Sequence, residues 1–146
     1  MTQAPLHRRP RMLLLVCCGG SLGTLARWAV SEWLSPPSGT PGGWPVGTLA
    51  VNLAGVFALG LLLEALLRIG PDTGRRRVAR LLLGTVFLGA FTTMSALGLE
   101  TVLLADDGRS LAALSYLCGS VVGGAVLAWA GVLLGARLAG RRAVAR

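Results

Sequence analysis

Four long apolar stretches, almost free of charge, constrain this chain more than any other feature. They cover residues 12–34, 46–67, 81–104 and 111–136, interrupted by Arg27 and Glu32 in the first, Glu64 in the second and Glu100 in the third. A helix that crosses a bilayer needs roughly 20 predominantly apolar residues. In hydrocarbon the backbone must satisfy its own hydrogen bonds, so each stretch is expected to be helical. The expected fold is therefore an all-α integral membrane protein: one domain of four transmembrane helices. Composition agrees, since charged residues make up 14% of the 146, where a soluble domain carries about a quarter. The mean hydropathy is +0.68.

The connections suit short turns. Ser35-Pro36-Pro37-Ser38-Gly39-Thr40-Pro41-Gly42-Gly43, Gly70-Pro71-Asp72-Thr73-Gly74 and Asp106-Asp107-Gly108-Arg109 separate the spans. Arg8-Arg9-Pro10-Arg11 ahead of Leu13-Leu14-Leu15 has the outline of a secretory signal. No small-residue cleavage site stands clear after it and three more spans follow, so the first span is expected to be retained.

All 14 basic residues are arginine, and the formal charge is +8. A nucleic-acid binder would spread such charge over a water-soluble face, which this chain lacks. The arginines sort instead by loop. Arg8, Arg9 and Arg11 precede the first span; Arg68, Arg75, Arg76, Arg77 and Arg80 lie between the second and third; Arg137, Arg141, Arg142 and Arg146 follow the fourth. All twelve fall on one side of an even-numbered bundle, against Arg27 and Arg109 on the other. Arginine-rich short loops stay in the cytoplasm, so residues 1–11 and 137–146 read as basic cytoplasmic tails of a cell-membrane protein.

Small residues recur every four positions: Gly19 and Gly23; Ala50, Ala54 and Ala58; Gly119 and Gly123; Gly131 and Gly135. That spacing lets helices approach closely in lipid, and packing is its expected role. Cys17, Cys18 and Cys118 lack a metal-ligand spacing and read as small core residues. With His7 the sole histidine and no nucleophile–base set, the chain is not expected to be an enzyme.

The third span differs from the others. Gly89-Ala90-Phe91-Thr92-Thr93-Met94-Ser95 places a glycine and three hydroxyls in mid-membrane. Such residues either glue helices together or break the span, because Ser and Thr can cap a new helix. Carbonyls freed at a break can coordinate a cation. Asn52 is a carboxamide in mid-membrane that needs partners, and Tyr116 and Ser120 share one face of the fourth span. Asn52, Ser95, Tyr116 and Ser120 together offer neutral donors that suit a small anion in transit. Glu100 fits either such a pathway or the membrane interface, and position favours the interface.

Three strings together resemble the CrcB/Fluc family of fluoride channels. They are Gly19-Gly20-Ser21-Leu22-Gly23-Thr24-Leu25-Ala26-Arg27-Trp28, Gly47-Thr48-Leu49-Ala50-Val51-Asn52-Leu53-Ala54-Gly55, and Gly89 to Ser95 running on to Glu100. The resemblance implies a dual-topology-type antiparallel dimer of four-helix subunits, with two fluoride pathways and one sodium ion at the dimer centre. It implies that the sodium is held by the backbone carbonyls of Gly89 and Thr92. The implied fluoride pathway runs past Asn52, Thr93, Met94, Ser95, Leu97, Glu100, Tyr116 and Ser120, and fluoride would leave the cytoplasm passively. Met94 and Leu97 stand where the family places phenylalanines, and Ala96 and Gly98 replace hydroxyls. The arginine bias adds a second departure, because an antiparallel homodimer needs a chain that inserts both ways. We therefore expect one half of a heterodimer, with an opposite-facing paralogue that supplies aromatic pore residues. The alternatives are a non-conducting partner subunit, and a small four-helix multidrug-type exporter, for which Glu32 would be the sole acid in the first span.

Overall fold

The computed structural model describes residues 10–34 and 44–144, with side chains to residue 140. His7, Arg8, Arg9, the connection 35–43 and Arg146 lie outside the described residues. Four helical stretches are long and apolar enough to cross a membrane: Pro10–Leu34, Val46–Ile69, Gly74–Asp106 and Ser110–Gly140. We label Pro10–Leu34 α1 and Val46–Ile69 α2. The third stretch divides into α3, residues 74–91, and α4, Met94–Asp106; Ser110–Val144 is α5. No strand occurs among the described residues. The last helix does not stop at residue 136 but carries Arg137 and the following residues with it.

Turn chemistry explains the helix ends. Between α4 and α5 the Gly108 N–H bonds to the Ala105 carbonyl and the Arg109 N–H to the Leu104 carbonyl, both at 3.0 Å. That pair satisfies the last carbonyls of α4 and requires a left-handed residue, which Gly108 supplies with φ +74°. Within α3, Arg80–Leu88 is wound as a wider π-helix, a feature for which the residue pattern held no signal.

The helices close around contacts made through glycine. The most extensive pairing is α2 with α5, while α1 lies on α3 and α2. A Cβ added at Gly131 would strike the carbonyl of Phe57, one at Gly60 the carbonyl of Ala128, and one at Gly135 would lie 2.7 Å from the Leu61 carbonyl oxygen. Gly23 approaches the Phe87 carbonyl of α3 in the same way. The four-residue spacing thus located Gly23, Gly131 and Gly135, but Gly119 meets nothing and Gly60 stood outside the pattern. Gly131→Val is expected to destabilise the subunit by about 1–3 kcal/mol through overpacking. Thermal unfolding in detergent should show it, whereas Gly119→Val should leave the midpoint unchanged.

The outer surface is apolar, with Leu111 81% and Leu14 66% exposed. Cys17, Cys18 and Cys118 are exposed as well, contrary to the expectation of core positions. Hydrocarbon rather than water bathes that surface, so apolar character does not separate inside from outside.

Candidate functional site

The third span breaks at two extended residues, Thr92 (φ −78°, ψ 156°) and Thr93 (φ −147°, ψ 119°). Each threonine closes one of the two new helix ends. The Leu88 carbonyl accepts from the Thr92 N–H at 2.9 Å and from its hydroxyl at 3.0 Å. The Thr93 hydroxyl accepts the Ala96 N–H at 3.3 Å and so caps the start of α4.

What the threonines cannot satisfy, Asn52 of α2 does. Its amide oxygen accepts the Thr93 N–H at 2.7 Å, and its amide nitrogen donates to the Thr93 carbonyl at 2.9 Å. One carboxamide therefore pairs with both backbone groups of a residue that no helix serves. In hydrocarbon each such group left alone would cost several kcal/mol. Gly55, one turn further along α2, makes room for the break. A Cβ there would strike the Thr92 methyl group and lie 3.3 Å from the Phe91 ring, which stacks on Phe87.

This arrangement settles the fate of two carbonyls. In an unbroken helix the Thr93 N–H would bond to the Gly89 carbonyl and the Ala96 N–H to the Thr92 carbonyl. Here Asn52 takes the first and the Thr93 hydroxyl the second. Gly89 and Thr92 thus lose their helical donors, and such oxygens suit a hard cation. Among the described residues there is no group of three or more His, Cys, Asp or Glu side chains that could hold a metal ion.

Beside the break lies a cavity of about 340 Å³ that brings together Asn52, Thr93, Met94, Leu97 and Ser120, with Val56, Thr92, Val121 and Gly124 completing its wall. None of these side chains is charged. Met94 is 73% exposed and Leu97 is 4% exposed, packed with Leu104, Ala113 and Tyr116. Ser120 donates its hydroxyl hydrogen to the Tyr116 carbonyl at 2.7 Å, but a hydroxyl rotates readily and can redirect that donor. Ser95 does not line the cavity; it is exposed, with its oxygen 3.2 Å from the Thr93 hydroxyl. Gly89 lines a separate groove between α2 and α3, which Thr92 also borders.

Glu100 turns into the bundle. Thr48 donates to one carboxylate oxygen and Tyr116 to the other, each at 2.6 Å. Position along the span favoured the interface, but two hydroxyls from α2 and α5 claim the carboxylate. Tyr116 is fully buried and Thr48 nearly so. Thr48 and Gly55 received no role from the residues alone. Thr48 lies four residues before Asn52, and that spacing was the available signal that both face α3 and α4.

Four apolar helices, one of them broken in mid-span and held open by a carboxamide, define a multi-pass membrane protein with an uncharged site beside that break. The family described as CrcB-like protein, Camphor Resistance (CrcB), matches residues 14–132, and the chain belongs to it. It is 49% identical over 125 residues to fluoride-specific ion channel FluC 1 of Cutibacterium acnes, a match covering 85% of each chain. It is 48% identical over 120 residues to FluC 2 of Moorella thermoacetica, covering 82% of this chain and 93% of that one. With FluC 2 of Leifsonia xyli subsp. xyli it shares 41% identity over 140 residues, 96% of this chain and 94% of the relative.

Proposed function

We propose that the chain is a subunit of a fluoride-specific channel of the cell membrane, through which cytoplasmic fluoride leaves passively. It is not an enzyme. The observation that carries this is the uncharged cavity at the helix break, lined by Asn52, Thr93 and Ser120. A small, strongly hydrated anion must exchange water for several hydrogen-bond donors, yet must not be trapped by a fixed positive charge. Neutral amide and hydroxyl donors meet both conditions. Glu32, on which the exporter alternative rested, is exposed near the end of α1 rather than deep in a span, so nothing favours that alternative.

The functional unit is an antiparallel dimer, and a sodium ion at its centre would be held by the Gly89 and Thr92 carbonyls. Such an ion would supply positive potential and tie the helix breaks together. The diversion of both carbonyls' helical donors supports this assignment. The arginine bias supports a heterodimer with an opposite-facing paralogue, which would place aromatic rings where this chain has Met94 and Leu97. Both termini then face the cytoplasm.

Fluoride efflux from liposomes tests the proposal. In sodium, the chain mixed with its paralogue is expected to empty the liposomes, and the chain alone to leave them full. Efflux from the chain alone would replace the heterodimer with a homodimer, and silence from both would sink the channel. Protein prepared and assayed without sodium should lose its efflux; unchanged flux would remove sodium from the assembly.

A further inference from the structure

Trp44 stands just ahead of α2, with its carbonyl accepting the Val46 N–H at 2.7 Å. Its ring meets the Tyr116 ring edge-on, with centroids 6.2 Å apart and planes at 64°. Trp44 is 39% exposed, whereas Tyr116 beneath it is 0% exposed. The Tyr116 hydroxyl in turn donates to Glu100, which Thr48 holds from the other side. Thr48 lies within the first turn of α2, and Glu100 and Tyr116 lie roughly 9 Å from the ends of α4 and α5 at 1.5 Å per residue. The whole hydrogen-bonded group therefore sits close beneath one end of the bundle.

A tryptophan at that depth would be ordinary as an interfacial anchor, with its ring free among headgroups. Trp33, 84% exposed at the end of α1, fits that description. Trp44 does not, because its ring is packed against a buried phenol. We infer that Trp44 is a lid over Tyr116, a positioning residue that keeps water and larger anions away from the Thr48–Glu100–Tyr116 group. The selectivity half of this inference rests on the channel proposed above; the covering of Tyr116 does not.

Tyr116 is the one tyrosine of the chain, so 3-fluorotyrosine labelling yields a single fluorine resonance that reports on this ring alone. In the full chain in detergent, that resonance is expected not to shift between H2O and D2O. In Trp44→Ala it should acquire a solvent shift, in Trp44→Phe it should not, and in Trp33→Ala it should remain as in the parent. A Trp44→Ala resonance identical to the parent's would overturn the lid. In the conducting dimer, Trp44→Ala should lower fluoride-over-chloride discrimination about fivefold, the scale of one lost aromatic pair, and Trp44→Phe should restore it. Unchanged discrimination with an exposed tyrosine would overturn the selectivity role. Absence of fluoride flux in the parent would overturn that role together with the channel, while the resonance would still decide whether Trp44 covers Tyr116.

Discussion

Asn52→Leu is expected to reduce fluoride efflux by roughly a hundredfold or more, because two partly buried backbone groups, each costing several kcal/mol when left alone in hydrocarbon, lose their partner at once. The leucine is close in size, so the loss is chemical rather than steric. With the Thr93 N–H and carbonyl abandoned, the span gains by closing the break into continuous helix. The Thr93 N–H would then return to Gly89, and the two diverted carbonyls would regain helical donors. Thr93→Val leaves the Asn52 pairing in place but removes the cap on Ala96, the contact with Ser95 and one hydroxyl of the cavity wall, and should cost about 1 kcal/mol of stability. Liposome efflux with the paralogue present, together with thermal unfolding, separates the two variants. If Asn52→Leu conducts like the parent, the carboxamide does not hold the break open.

The second large effect concerns orientation. Expressed in its native membrane, the chain should insert one way only, with both termini inside. Neutralising Arg75, Arg76 and Arg77 together still leaves nine arginines against two, so that triple variant should keep its orientation. Accessibility of a cysteine placed near the C-terminus, in a background with the native cysteines replaced, gives the answer on each side of the membrane. Labelling of roughly equal fractions from both sides would show dual insertion and defeat the heterodimer. The consequence is all-or-none, since a chain confined to one orientation cannot build an antiparallel pair with itself. Two ion pairs, Arg68 with Glu64 and Arg80 with Asp72, occupy part of the charge at the α2–α3 turn, but both are exposed and leave the bias strong.

Much of the site could be read from residue types, because polar groups in mid-membrane are too costly to lack a purpose. Asn52, Thr93 and Ser120 stood out on that ground and meet at one cavity. Ser95 stood out equally and lies exposed, because its side of α4 is a matter of helix rotation that residue type does not report. Glu100 looked ambiguous because its two partners come from α2 and α5, far away in the chain. Gly55, noted only as the end of one family-like string, and Trp44 carried no signal of the contacts they make. A glycine among many in a membrane span, and a tryptophan near a span's end, acquire meaning only through what lies opposite them.

The chain's own residues determined that it crosses a membrane four times, where the turns fall, and that its third span holds a group able to break it. Those properties follow from hydropathy, turn chemistry and the cost of a polar atom in hydrocarbon, all of which act locally. Whether the third span would break was left open by its composition, since Ser and Thr serve equally well as interhelical glue. Tertiary structure decided it, through a carboxamide 41 residues earlier that satisfies the peptide at Thr93. The same packing turned Glu100 inward and laid Trp44 over Tyr116. A hydrogen bond between distant segments depends on geometry that only the assembled bundle creates.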